Sequence, residues 1–311
     1  MPGRDRRPNR EGVLLRRCIV ADMQSAEGRP LQSSDIRPAQ FADDQWYPSS
    51  GPRLRQLLVS LLAQADYRAL GRPLGLISPH AGLRFSGPVA AHAYRQLDGQ
   101  HYDYVTVISP LHRHLFGAYA VTRYQYYSTP LGLLPVARDL LEQLGSRLPL
   151  VQVGRDDEHS LEIQLPFLQV QLGEFELLPI MMGEQSPAAA QALAAALAEI
   201  LAGKSALVVA SSDLSHFHPY ETARQLDGRI VEKVEEYDPI GLAQLLASGR
   251  AEACGGGPIV AAMLACKELG ANRAVVLRYA NSGDVWIDRE SVVGYLAAAM
   301  YGPGPVERGG G

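Results

Sequence analysis

The chain has 311 residues, 47% of them hydrophobic and 20% charged, an ordinary globular composition with enough apolar material for a sizeable core. A formal charge of −4 and a pI near 6.1 give no general attraction to nucleic acid or an anionic membrane, and no apolar run reaches the length of a membrane span. Cys18, Cys254 and Cys266 are too few for a disulfide framework, and their odd number leaves a free thiol, which points to a reducing, cytoplasmic setting.

Residues 1–33 read as a flexible basic tail: six arginines stand in the first seventeen positions, without the apolar stretch of a secretory signal. A single domain is expected over 34–303, followed by a flexible glycine-rich end at 304–311. Ser49-Ser50-Gly51-Pro52 starts a helix in which Leu54, Leu57, Leu58, Leu61 and Leu62 recur at helical spacing. Three short, continuously apolar runs follow, at 74–77, 104–108 and 206–210. Unbroken apolarity fits strands covered on both faces, as in a parallel sheet. A helix fits 87–97, with Pro88 near its start, where the missing N–H costs nothing.

Segment 118–134, with its Thr-Pro-Leu-Gly turn, reads as a hairpin insertion. A strand is expected at 176–181, and an alanine-rich helix at 187–202 between a Ser186 cap and Gly203. Residues 274–284 and 290–300 read as a strand, a loop and a final strand. Alternating strands and helices imply an α/β three-layer sandwich, its mostly parallel central sheet flanked by helices.

Histidines stand where such a fold places a site. His80 follows the first strand, His112 and His114 the second, and His216 and His218 the third, through Ser-Ser-Asp-Leu-Ser-His-Phe-His. Ligands in open α/β sheets gather at the carboxyl ends of strands, so His80, His112 and His216 are expected to converge. Cys254 precedes three glycines and an apolar helix, where the helix dipole would favour its thiolate. A thiolate and neutral imidazoles suit copper(I), zinc or iron. His92, His101 and His218 are expected to be ordinary surface residues.

Asp156, Asp157, Glu158, His159 and Glu162 crowd another helix start. Glu158 and Glu162, at i and i+4 beside His159, fit either helix capping or an anchor for metal ligands. Asp213 either caps the next helix or orients a ligand, and pairs with His216 as acid and base. Arg84, Ser282 and Asp284 are weaker candidates for substrate contact. No nucleophile elbow, Walker A loop or dinucleotide fingerprint is present.

The ordered motifs SPHAGLRFSGPVAAHAY, EHSLEIQLPFL, SSDLSHF, CGGGPI and SGD…VVGY, with the opening DIRPAQFADDQWYP, resemble the Memo family. Its prokaryotic members are called AmmeMemoRadiSam system protein B. The resemblance runs from Ile36 to Tyr301 and implies a fold similar to LigB-type class III extradiol dioxygenases, whose iron(II) is held by two histidines and a glutamate. It implies His80, His112 and Cys254 as ligands of one redox metal ion per chain, copper or iron(II), with zinc also admissible. His216 becomes the acid–base residue, with Asp213 beside it. Radical-SAM and AMMECR-type proteins are implied as partners, and the substrate is an unspecified small molecule or peptide. Where relatives commonly read Gly-Pro-Ser-His-His, this chain has Ser109-Pro110-Leu111-His112-Arg113-His114, so His114 competes with His112 for the ligand position. Leu83 replaces a usual tyrosine.

Overall fold

The computed structural model describes residues 30–113 and 116–303. Its first part runs through strand β1 (Ile36–Arg37), helix α1 (Gly51–Gln64), strand β2 (Pro73–Ser78), helix α2 (Leu83–Tyr94) and strand β3 (Tyr104–Pro110). Strands β4 (Tyr119–Thr122), β5 (Tyr126–Thr129) and β6 (Gly132–Pro135) follow, then helix α3 (Arg138–Gly145) and strand β7 (Leu150–Val153). Helices α4 (His159–Glu162) and α5 (Leu165–Leu172) lead to strand β8 (Glu176–Met182), helix α6 (Pro187–Leu201) and strands β9 (Ala206–Ser211) and β10 (Asp213–His218). Helices α7 (Tyr220–Glu235), α8 (Pro239–Ala247) and α9 (Gly256–Glu268) and strands β11 (Arg273–Asn281) and β12 (Val292–Tyr301) complete the chain.

The main sheet has the order β10-β12-β2-β9-β3-β8-β4-β7, with β11 also paired to β12. Its centre, β2-β9-β3-β8, is parallel, and antiparallel strands flank it on both sides. Every residue of β9 is buried, as two covered faces require. Helices α1, α2 and α5 cover one face, and α6, α8 and α9 the other. The resulting layers enclose one contiguous apolar core. Capping follows local chemistry: Ser186 Oγ accepts from the Ala189 N–H at 3.2 Å, and Pro187 sits in the first turn of α6.

Strand β12 has an unusual division of labour. Strand β11 lies along one edge, while β10 and β2 share the other, β10 pairing with residues 292–295 and β2 with residues 298–301.

Two expectations need correction. The hairpin is confined to β5 and β6, closing at Thr129 and Gly132. Strand β4 instead enters the main sheet between β7 and β8, because all four of its side chains are buried and need cover on both faces. Residues 213–218 form an edge strand, not a helix start. There His216 and His218 oppose the adjacent residues Val293 and Val292, and Phe217 bulges out between them with φ 63°. Among the described residues no helix is long and apolar enough to cross a membrane.

Candidate metal centre

The carboxyl ends of β2, β3 and β9 open onto the same end of the sheet, and each carries a polar turn. After β2, Pro79 holds the chain extended. The His80 N–H then donates to Asp213 Oδ1 at 2.7 Å, and the ring places Nδ1 2.9 Å from Ser211 Oγ. Proton counting assigns the tautomer. Ser211 Oγ lies 2.6 Å from the Ser160 carbonyl, which only accepts, so the single hydroxyl proton is committed there. Ser211 Oγ therefore accepts from Gln164 Nε2 at 2.7 Å and from His80 Nδ1–H. His80 Nε2 is left bare, 3.2 Å from Cys254 Sγ. Burial, and then the neighbouring His159, His112 and His216, hold His80 well below the usual histidine pKa. It is a neutral imidazole.

The His112 arm uses a charged anchor. Glu158 is the N-cap of α4, accepting from the Ser160 N–H at 3.0 Å. Its Oε2 takes the His112 backbone N–H at 2.8 Å, and its Oε1 lies 2.9 Å from His112 Nδ1. A carboxylate only accepts, so Nδ1 carries the proton and Nε2 is again free. Burial opposes the Glu158 charge, but the His112 side-chain bond and the amides of Ser160 and His112 bring its pKa down to about 2.

Cys254 completes the group. The ligating atoms of His80, His112 and Cys254 all lie within 4.8 Å of one another. Gly255 is required because a Cβ there would collide with the Ser211 carbonyl. The expected thiolate does not form unaided. Burial, followed by the nearby Asp213 carboxylate, pushes the thiol pKa up. The amides that would offset this are engaged elsewhere, Gly255 N–H with Ser212 Oγ at 2.9 Å and Gly257 N–H with Gln185 Oε1 at 2.9 Å. The Asp213 N–H, 3.3 Å from Sγ, and the Ser212 side chain favour the thiolate without overcoming burial. Without a cation Cys254 is a thiol beside the bare His80 nitrogen.

His112, Glu158 and His159 form a second group of potential ligands. The His159 ring lies 4.3 Å from that of Trp46 and 4.7 Å from that of His112. Its buried Nδ1 makes no hydrogen bond. Burial lowers its pKa to about 4 despite the adjacent Glu158, so it too is neutral near pH 7.

Asp213 and His216 share β10, yet they are not partners. Asp213 receives the backbone amides of His80 and Ala81, and burial raises its pKa to about 7 against those bonds. His216 Nδ1 donates to the Leu214 carbonyl at 2.8 Å, leaving Nε2 free. The expected acid–base pair does not form, because Asp213 is taken by the His80 and Ala81 amides and His216 Nδ1 by the Leu214 carbonyl. What Asp213 orients is His80.

Glu162 is also differently employed. Its carboxylate binds Arg37, Tyr47 Oη and the amides of Gln40 and Phe41, fastening the N-terminal segment to α4. A one-turn helix cannot present i and i+4 residues as one anchor. Arg84 stacks over the Trp286 ring, 4.6 Å from its centroid. Ser282 Oγ accepts from the Val293 N–H at 3.0 Å, and Asp284 accepts from the Asn281 N–H at 2.9 Å and Tyr220 Oη at 2.7 Å. All three build surrounding loops. His114 lies outside the described residues. Sequence reasoning missed Ser211 and Gln164; the Ser211-Ser212 doublet beside Asp213 was the available signal.

An open cavity of about 470 Å³ adjoins the cluster, with Cys254 and His216 in its wall. Two imidazoles and a sulfur within reach of one another suit a borderline-to-soft metal ion.

A model of Memo-like proteins matches residues 37–299. The chain belongs to the Memo family. Curated Memo relatives agree: a MEMO1 family protein of Methanosarcina mazei is 40% identical over 228 residues, covering 72% of this chain and 84% of the relative. One from Methanosarcina acetivorans is 37% identical over 257 residues, covering 81% and 95%. Among solved structures, an uncharacterized protein, JW3007, of Escherichia coli K12 has a TM-score of 0.50 at 16% identity, covering 74% of this chain and all (100%) of that one. That likeness concerns the fold alone. It supports the three-layer α/β architecture for this Memo chain.

Proposed function

We propose that this Memo-family chain is a metal-dependent oxidoreductase that binds one redox metal ion, copper or iron, through His80, His112 and Cys254. The observation that carries this reading is the tautomer assignment: both imidazoles have Nδ1 tied to an acceptor and Nε2 free beside one sulfur. The sulfur's softness favours copper(I), and the resemblance to dioxygenases favours iron(II). The bound ion would supply one-electron chemistry and withdraw the Cys254 proton.

The chain's own groups do the rest. Ser211 and Glu158 hold the two rings in orientation, and Asp213 binds the peptide that carries His80. His216, with Nδ1 tied to Leu214, offers Nε2 to accept or return a substrate proton. Partnership with radical-SAM and AMMECR-type proteins rests on the resemblance alone, and co-purification from the native source tests it.

Metal analysis after purification without chelators tests the central claim. Stoichiometric copper or iron is expected, with affinity at least about tenfold lower in Cys254→Ala. Absence of stoichiometric copper, iron and zinc, with no response to Cys254→Ala, sinks the oxidoreductase and leaves a peptide- or protein-binding module built on the same cleft.

A further inference from the structure

The open cavity of about 470 Å³ lies between α6, α8 and α9, and the metal-binding reading leaves its purpose unassigned. Its wall is more apolar than polar, and Ala190, Leu214, Ala243, Leu246 and Val260 supply its aliphatic part beside Gln185, Ser186 and Glu252. Gly256 and Gly257 bring the start of α9 alongside without adding side chains. What is missing is equally informative. Among the described residues lining it there is no lysine or arginine, and no phenylalanine, tyrosine or tryptophan.

Glu252 is the one acidic group among the described lining residues, and it is already paired with His218 Nε2 at 2.8 Å. Gln185 is also committed, its Nε2 donating to the Cys254 carbonyl at 2.8 Å and its Oε1 accepting from the Gly257 N–H at 2.9 Å. In the metal-free chain, a carboxylate or phosphate entering here would lose water and meet Glu252, with no lysine or arginine among the described lining residues to compensate. A planar aromatic ring would find no phenylalanine, tyrosine or tryptophan among the described lining residues, and only the His216 imidazole to stack on. An aliphatic group would exchange water for methyl and methylene contacts at full hydrophobic benefit.

We propose that the cavity binds the uncharged aliphatic portion of the substrate and directs its reacting end toward Cys254 and His216. This deepens the oxidoreductase reading and rests on it for the reaction, but not for the binding.

Calorimetric titration of the full chain, metal-free and metal-loaded, with 1-butanol through 1-octanol tests the proposal. Affinity is expected to rise about fourfold per methylene until the cavity is filled. Octanoate and catechol are expected to bind the metal-free chain at least about tenfold more weakly than 1-octanol does. Ala247→Trp, at an exposed rim position of α8, should lower 1-octanol affinity at least about tenfold with metal stoichiometry unchanged. Ala243→Leu, deeper in the wall, should shorten the longest chain accepted.

Equal or tighter binding of octanoate or catechol to the metal-free chain, no dependence on chain length, or wild-type affinity in both variants overturns the proposal. The chain-length series on the wild type decides the matter even if a variant misfolds. Metal uptake without alcohol binding refutes the aliphatic pocket alone. Alcohol binding without metal uptake upholds the pocket and refutes the oxidoreductase.

Discussion

Asp213 and Glu158 occupy equivalent positions on the two histidine arms, and their electrostatics are opposite. Each carboxylate accepts the backbone N–H of a metal-ligand candidate, Asp213 from His80 and Glu158 from His112. Yet burial lifts Asp213 to about 7, while Glu158 is held at about 2. The difference lies in what else each acid receives. Glu158 also takes an imidazole N–H and the first amide of α4, and so retains its charge although buried. Asp213 has amides alone, because the His80 ring is anchored by the neutral Ser211 hydroxyl. Equivalent backbone geometry therefore does not determine charge; the partner of the imidazole does.

The largest consequence is a stability difference of opposite slope on the two arms of the metal-free protein. Asp213 has a folded pKa above its unfolded value of 3.8, so its stabilising contribution is present below that value and disappears as pH rises to about 7. Asp213→Asn should gain about 4 kcal/mol relative to wild type across that interval, whatever its constant offset. Denaturant titrations at several pH values measure the slope, and a flat difference would end the comparison.

Glu158 runs the other way. Its folded pKa lies below 4.5, so its contribution is present above that value and is lost as pH falls toward 2. Glu158→Gln should forfeit about 3 kcal/mol at neutral pH, with the gap closing between those limits. Its metal affinity should also drop roughly 10- to 100-fold in a competitive chelator titration.

Ser211→Ala sharpens the comparison on the neutral arm. It leaves His80 Nδ1 without its acceptor, and a loss of about tenfold in metal affinity is expected, smaller than for Glu158→Gln. A larger loss than that of Glu158→Gln would show that the hydroxyl is the dominant anchor. The smallest effects belong to Arg84→Ala and Ser282→Ala. Both side chains serve loops outside the cluster, so metal affinity should stay within about twofold of wild type.

The central strands and the histidines at their ends were legible because strands buried on both faces leave unbroken apolar runs. Cys254 stood out through its glycines. Glu158 and Asp213 were legible as candidate anchors, but Ser211 was not. Ser211 matters through contacts with Ser160, Gln164 and His80, segments that only the sheet order brings together. Glu162 looked like a companion of Glu158 until Arg37, 125 residues away in sequence, claimed it. The strand at 213–218 was not legible, because a bulged edge strand has neither period two nor period 3.6 to betray it.

The shared edge of β12 makes that strand a ruler for the whole site. Its first residues fix β10, which carries Asp213 and His216, and its last fix β2, which ends just before His80. A slip of β12 by one residue against either neighbour would turn its buried side chains to the wrong face and alter the spacing between Asp213 and the His80 amide. The alignment of the His80 arm is thus measured out by a strand that contributes no ligand to the metal centre.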